Sequence, residues 1–359
     1  MPAPAPDRAA LLSLLPEDRV GVVERLEPIT LGLSGAGVYA VTTSRGACVL
    51  RVQKRDMDEG SFAQQLRVLR RAADAGVAPA VLHVNEEARA VVSARVPGVS
   101  IAGALADPEL RAPVLASVVN RLRTLHALDP SGVDERDPVA YARASWVAAR
   151  DRPGFPPWAA SLAPTLDATA DALARDPRRV VSHNDLNPVN VLWDGARAWL
   201  VDWEFAALGH PYFDLAVLAM FRRLEDGVAL ALGARHDGAT LDEGARATFR
   251  ALRRLAALLS GLTFLSLVDD LSVLPAPTRA DAPSLGACYE ALRAGELDLR
   301  GGQAGGWLSR SSSGRRRRRS RPDPPTRGSS SGIGWQDFAK KRLWRVARVN
   351  GACARGKAR

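Results

Sequence analysis

Cysteine, long apolar runs and, over most of the chain, excess positive charge are what this sequence has little of, and each shortage removes a class of protein. Cys48, Cys288 and Cys353 are the three cysteines among 359 residues. They lie far apart without C-x-x-C spacing, so neither a disulfide framework nor a zinc site is indicated, and plain buried or tail thiols are expected. Residues 1–19 hold one short apolar stretch before Pro16, too little for the core of a signal peptide. The apolar run over residues 255–268 ends at Asp269 and Asp270 and falls short of the roughly 20 residues a membrane span needs. No transmembrane segment and a cytoplasmic location are the expectation. The formal charge of +10 is concentrated at one end: residues 301–359 carry sixteen Lys or Arg against two acids, which leaves residues 1–300 at −4. A mildly acidic body argues against a specific nucleic-acid partner and for a cationic or neutral substrate.

Against these absences stands one dense stretch, residues 182–216, SHNDLNPVNVLWDGARAWLVDWEFAALGHPYFDLA. His183, Asp185, Leu186 and Asn190 reproduce the H-x-D-L-x-x-x-N spacing of a kinase catalytic loop, where the Asp accepts a substrate hydroxyl proton and the Asn holds Mg²⁺. Val191, Leu192 and Trp193, an Asp194-Gly195 turn signal and a second apolar run over residues 198–201 predict a β-hairpin. Antiparallel pairing would bring Asn190 beside Asp202, and two oxygen ligands converging there suit Mg²⁺, which takes only one or two protein carboxylates. Glu204 would share the side of Asp202 if the strand continues, as a second acid for metal or a cationic substrate. His183 is read as structural, and Asp214 as a cap or brace for the helix that follows it.

HNDLNPVN followed by VDWE and FDLA resembles the aminoglycoside phosphotransferase and choline kinase superfamily, and its HNDL and D-x-E forms look most like the choline, ethanolamine and thiamine kinase branch. The likeness spans residues 20–300 in layout, with its specific motifs within 182–216. It implies an α+β, bilobal, protein-kinase-like fold: a leader over residues 1–19, a small antiparallel-sheet nucleotide-binding lobe over 20–97, a mainly helical catalytic and substrate lobe over 98–300, and a tail over 301–359. ATP and Mg²⁺ are the implied cofactors.

Residues 22–26 and 37–42 read as strands around a Gly-rich turn, whose glycines let backbone N–H groups approach phosphates. The resemblance implies that Ser34, Gly35, Ala36 and Gly37 cover the phosphates of ATP. In the next strand, over residues 47–52, Arg51 stands where the family places the cation that contacts the α- and β-phosphates, and a guanidinium fork suits phosphate oxygens. A helix follows over residues 61–75, with Phe62, Leu66, Leu69 and Ala73 at helical spacing. There the sequence departs from the family, because Gln65 stands in place of the Glu that pairs with the strand cation. Gln65 can accept a hydrogen bond from Arg51 without neutralising it, or Glu59 substitutes. Residues 81–84 and 90–94 complete the sheet, and Ser93, Ala94 and Val96 fall where the resemblance puts the adenine-binding hinge.

Residues 110–128 predict a helix with Leu115, Val118, Val119, Leu122 and Leu125 on one face and a structural His126 near its end. Tyr141, Trp146, Phe155 and Trp158 could offer cation-π faces to a quaternary ammonium, with core packing as the plainer reading. Helices are expected over 214–224, 241–270 and 284–296. Residues 301–332 have little to bury and are expected to be disordered. A basic segment after them is read as a solvated appendage or as a contact for anionic surfaces.

These features point to ATP-dependent phosphorylation of a small alcohol. Asp185 would be the base, Asn190 and Asp202 the metal ligands, Arg51 the phosphate contact, and Glu204 a group near metal or substrate. A choline- or ethanolamine-like acceptor leads, although Val217 and Leu218 replace the Asn-His pair of eukaryotic-type choline kinases. An aminoglycoside acceptor comes next. A nucleotide-binding pseudokinase or scaffold using the basic tail is the reading from a different class.

Overall fold

The sheet of the N-terminal region buries Val41, Leu50 and Val92 together with Tyr39, Cys48 and Ala90, and Gly46 at φ 128° opens its third strand. The computed structural model describes residues 7–29, 37–53, 57–267 and 271. Two short helices, α1 (Arg8–Leu12) and α2 (Glu17–Val20), precede β1 (Val23–Pro28), β2 (Gly37–Thr43) and β3 (Gly46–Val52). Asp58 then accepts a 2.8 Å hydrogen bond from Ser61 N and so caps α3 (Glu59–Asp74), satisfying one of the orphan donors of a helix start. β4 (Val81–Asn85) and β5 (Ala90–Ala94) follow. The five strands pair antiparallel in the order β1-β2-β3-β5-β4.

One core cluster on this sheet joins Tyr39, Val41, Cys48, Leu50, Ala90 and Val92 to Leu11, Leu15 and Val20. Leu11 and Leu15, from the segment the sequence sets apart as a leader over residues 1–19, therefore supply part of the hydrophobic cover of the sheet together with Val20. Cys48 is a buried free thiol, as expected. Helix α3 buries Phe62, Leu66, Leu69 and Ala72, one position from the expected stripe at its end.

The segment after β5 enters β6 (Val99–Ser100) and the short helix α4 (Ile101–Ala104), then α5 (Pro108–His126), α6 (Pro138–Arg150), a 3-10 turn (Pro157–Leu162) and α7 (Pro164–Arg175). A Cβ on Gly98 would lie 2.4 Å from the carbonyl oxygen of Trp193, so this crossing admits only glycine. Strand β7 (Val180–Ser182) leads into the catalytic-loop sequence. The hairpin β8 (Val191–Trp193) and β9 (Ala198–Leu200) comes next, then β10 (Ala207–Gly209), which pairs with β7. β6 adds to the hairpin as a third strand, in the order β6-β8-β9.

Helix α8 (Pro211–Phe221) is buried over Pro211–Met220, which is why it is apolar all round rather than amphipathic. α9 (Asp226–Asp237) was not legible in the sequence, and α10 (Glu243–Leu267) falls within the long helix expected over 241–270, of which residues 268–270 lie outside the described ones. Tertiary contacts divide the chain into two units. The first covers residues 1–30, 35–138 and 171–256, and the second covers 31–34, 139–170 and 257–359. Sheet, catalytic-loop sequence and hairpin all belong to the first. In the second, Arg152 donates to Leu265 O at 2.5 Å. Among the described residues no helix is long and apolar enough to cross a membrane. The expected helix over 284–296 and the basic tail lie outside the described residues.

Candidate active site

Strand β7 delivers the chain into residues 183–190, and nearly every polar group there is anchored. Asn184 adopts a left-handed backbone with φ 60°, a region that Asn tolerates better than most residues. Its Nδ2 donates to Phe205 O at 3.2 Å and to Ala207 O at 3.3 Å. Leu186 is fully buried and fixes the loop from below. Asn187 caps the 3-10 turn Pro188–Asn190 by accepting from Val189 N. Asn190 then donates from Nδ2 to both the backbone oxygen of Asp185 at 3.0 Å and its Oδ2 at 2.9 Å. The amide thereby orients the Asp185 carboxylate and turns its own Oδ1 to the other side.

The hairpin forms as the sequence predicts, with Val191 opposite Leu200. Val201 N donates to Asn190 O at 2.9 Å, which sets Asn190 beside the start of the 202–204 segment. That segment does not continue the strand: β9 ends at Leu200, and Asp202 takes φ 69°, a conformation costing a non-glycine residue about 1–3 kcal/mol. Strand alternation is therefore not what brings Asp202 and Glu204 together. They converge because the turn at Asp202 aims both carboxylates at one cation. Arg51, on β3, sends its guanidinium to Asp202 Oδ1 at 2.9 Å and Glu204 Oε2 at 3.3 Å. All three side chains are less than a fifth exposed, so these charges interact in a medium that screens them weakly.

The pairing expected between Gln65 and Arg51 is replaced by another. Gln65 Oε1 accepts from Gln53 Nε2 at 3.1 Å, both side chains being buried, while the charged partners of Arg51 come from the 202–204 segment. Two buried amides satisfy each other, so a charge at position 65 is not needed to balance the neutral Gln53. Gln64 reaches the same region: its Nε2 donates to Ala206 O at 3.2 Å and its Oε1 accepts from Asp134 N at 3.0 Å.

Of the remaining sequence-predicted positions, Ser34, Gly35 and Ala36 lie outside the described residues. Gly37 begins β2 opposite Val52. Ser93 and Ala94 close β5, paired to β3 on one side, with Ala94 N donating to Ala80 O at 2.8 Å and Arg95 N to Ala47 O at 3.1 Å. Val96 follows in the connection to β6. Among the aromatics, Trp146 is buried and meets Phe155 edge-on with ring centroids 5.5 Å apart, the geometry of packed aromatic pairs.

His183 is structural, as expected: it is fully buried, its Nε2 lies 3.0 Å from Val201 O, and its ring tilts against Trp203. Asp214 does more than the sequence indicated. It is fully buried and braces the loop rather than only its own helix, accepting from His183 N at 3.0 Å and Asn184 N at 2.7 Å. Burial alone would raise its carboxyl, but the contacts with His126 and His183 outweigh that and hold it below the usual carboxylate range. His126 Nε2 stands 3.2 Å from Asp214 Oδ2. Nothing in the local pattern pointed to His236, whose Nε2 lies 2.8 Å from His126 Nδ1. The two are 110 positions apart, and no local spacing could have linked them.

Comparison with solved structures gives the same architecture. The choline/ethanolamine kinase family protein from Mesorhizobium loti is similar with a TM-score of 0.59 and 22% identity, over 85% of this chain and 92% of the other. The choline kinase LicA from Streptococcus pneumoniae is similar with a TM-score of 0.54 and 14% identity, over 86% and 96% of the two chains. An aminoglycoside phosphotransferase from Streptomyces rimosus, in complex with ADP and streptomycin, is similar with a TM-score of 0.51 and 24% identity, over 71% and 99%. At such identities the likeness shows a kinase-like fold. No curated protein gives a significant sequence match. The sequence pattern of the phosphotransferase enzyme family (APH) matches residues 25–264, well over half of the chain, and the protein therefore belongs to that family of phosphotransferases.

Proposed function

We propose that the protein transfers the γ-phosphoryl group of ATP to a hydroxyl of a small, amine-bearing alcohol of the choline or ethanolamine kind. The observations that carry this reading are Asn190 Nδ2 held 2.9 Å from Asp185 Oδ2 and Arg51 held 2.9 Å from Asp202 Oδ1, with Val201 N donating to Asn190 O at 2.9 Å between the two groups. Phosphoryl transfer asks little covalent chemistry of a protein; positioning and charge neutralisation supply most of the acceleration. Asp185, held by Asn190, would accept the hydroxyl proton. Arg51, whose fork matches phosphate geometry, would hold the α- and β-phosphates.

The donor chemistry fits Mg²⁺. Asn190 commits its amide nitrogen to Asp185, leaving an oxygen donor, and Asp202 is a hard carboxylate beside it. Mg²⁺ uses one or two protein carboxylates and completes its shell with water and phosphate. Asn190 and Asp202 would hold the ion, which when bound neutralises phosphate charge. Glu204 would stand near metal or substrate. Ser34, Gly35, Ala36 and Gly37 would cover the phosphates, and the backbone of Ser93, Ala94 and Val96 would meet adenine.

An amine-bearing acceptor suits the net charge of −4 on residues 1–300, and structural neighbours include choline and ethanolamine kinases. Neighbours that act on aminoglycosides favour that class as the second acceptor. Trp146 is committed to Phe155 and adds nothing to an aromatic cage. Labelled ATP offered with choline, ethanolamine, thiamine and aminoglycosides tests the proposal. Label should appear on one acceptor class with wild-type protein and fall away with Asp185→Asn. MgATP binding without transfer to any acceptor would point to the pseudokinase reading instead.

A further inference from the structure

Helix α3 reaches the acidic segment through a residue other than the one expected. Gln65 is paired with Gln53, whereas its neighbour Gln64 uses both ends of its side-chain amide, on Ala206 O at 3.2 Å and on Asp134 N at 3.0 Å. Chemistry fixes which way that amide points. A carbonyl oxygen only accepts and a backbone N–H only donates, so Nε2 must face Ala206 and Oε1 must face Asp134.

The amide occupies a definite place in a backbone ladder. Leu208 N donates to Asp134 O and Arg136 N donates to Leu208 O, both at 2.9 Å, and Glu135 bridges in parallel to Leu208. One step further towards the chain start, the same parallel ladder would join Asp134 N to Ala206 O. Gln64 stands between those two groups with the donor and acceptor of a peptide unit. From the other side Asn184 Nδ2 donates to Phe205 O and Ala207 O. The carbonyls of residues 205, 206 and 207 are thus taken in turn by the catalytic-loop sequence, by α3 and by the loop again, as the alternating directions of an extended backbone require.

What these bonds hold is the turn that carries both acids. Ala206 N donates to Trp203 O at 3.1 Å, so Ala206 closes the turn around Glu204 with its N–H while its oxygen is tied to α3. Asp202, at φ 69°, keeps a backbone conformation that its surroundings must enforce. We infer that Gln64 is a positioning residue for Asp202 and Glu204: its amide splices α3 into the backbone just after them. The link from α3 to the site then runs through Ala206 instead of a charge pair with Arg51. The consequence for a bound metal ion rests on the proposed role of Asp202, while the hold on the turn stands without it.

Three replacements in the full-length protein separate this role from plain anchoring of the helix. Gln64→Glu keeps the acceptor for Asp134 N and loses the donor to Ala206 O. Gln64→Met loses both at similar length. Arg71→Gln removes the bonds from α3 to Asp129 O at 2.6 Å and Ser131 O at 2.9 Å and leaves Ala206 untouched. Amide hydrogen exchange over residues 202–207, read by mass spectrometry, should quicken about five- to tenfold in both Gln64 variants, the worth of one hydrogen bond. It should keep the wild-type rate in Arg71→Gln. Affinity for Mn²⁺ beside a non-hydrolysable ATP analogue, read by electron paramagnetic resonance, should weaken by a similar factor in the Gln64 variants and hold in Arg71→Gln. Wild-type exchange in Gln64→Glu, or an Arg71→Gln protein that changes as much as the Gln64 variants, would overturn the inference. A wild-type protein that binds no Mn²⁺ beside the nucleotide would instead overturn the proposed function, and the exchange rates would still decide the role of Gln64.

Discussion

The two sides of residues 183–190 are built from different physics. On one side Asp185, Asn190, Asp202, Glu204 and Arg51 bring charges together that are partly open to water, held by one hairpin and one strand. On the other, Asp214 and His126 are almost wholly buried and hydrogen-bonded, and no exposed group substitutes for either. The first arrangement keeps some access to water, as the proposed role of binding and releasing charged ligands requires. The second does not, and an unpaired buried polar group there costs its full desolvation. One loop thus has a reactive face that water reaches and a rear that is fixed.

That contrast predicts which changes alter rate and which alter stability. Asp185→Asn should lower kcat by about 10²–10⁴-fold, the usual worth of a positioned general base, with the melting temperature unmoved because Asn190 can still donate to the amide oxygen. Labelled-phosphate transfer alongside calorimetry checks this, and a large loss of stability would break the comparison. Asp214→Leu should do the reverse in kind. It strands two backbone N–H groups and a buried imidazole, at a cost of about 3–5 kcal/mol, read from denaturant midpoints.

Acid should also act through the rear. His210 accepts from Tyr212 N at 3.1 Å to cap α8, and burial pushes its imidazolium down to about 4 from an ordinary value of 6.5. Asp176 Oδ2 lies 3.1 Å from its Nε2 and favours the charged form, but burial outweighs that pull. The unfolded chain binds the proton first, so the stability held above pH 6.5 drains away as pH falls towards 4, by up to about 3 kcal/mol. Melting curves from pH 7.5 to 4.5 should show the loss, and His210→Asn, which keeps a cap without a titrating ring, should flatten the curve. The smallest expected effect returns to the reactive face. Arg51→Gln should raise KM for ATP about tenfold, the worth of one charge-assisted hydrogen bond, as read from the ATP dependence of the initial rate.

How much of this was legible follows from distance along the chain. Asp185 and Asn190 belong to one short motif, and Asn190 and Asp202 are joined by a hairpin with its own turn signal, so local pattern sufficed to bring them together. Asp202 and Glu204 were grouped correctly but by the wrong device, since the strand stops at Leu200 and a left-handed residue does the aiming. Gln65 was read against Arg51 because a single aligned position says nothing of Gln53, which captures it instead. Helix α9 carries Gly227 and Gly233 and no clear apolar stripe, so its helical state reflects packing more than propensity.

By itself the sequence determined the family, the strands of the N-terminal sheet, the hairpin over 191–200 and the residue types proposed for the reactive face, because these are encoded in contiguous spacing and in alternation of apolar and polar positions. Only the tertiary structure decided that Asp214 braces the loop, that His236 meets His126, and that Leu11, Leu15 and Val20 cover the sheet. Those contacts join residues far apart in the chain, and what selects them is the need of buried polar atoms and apolar surface for partners, a need no local pattern records.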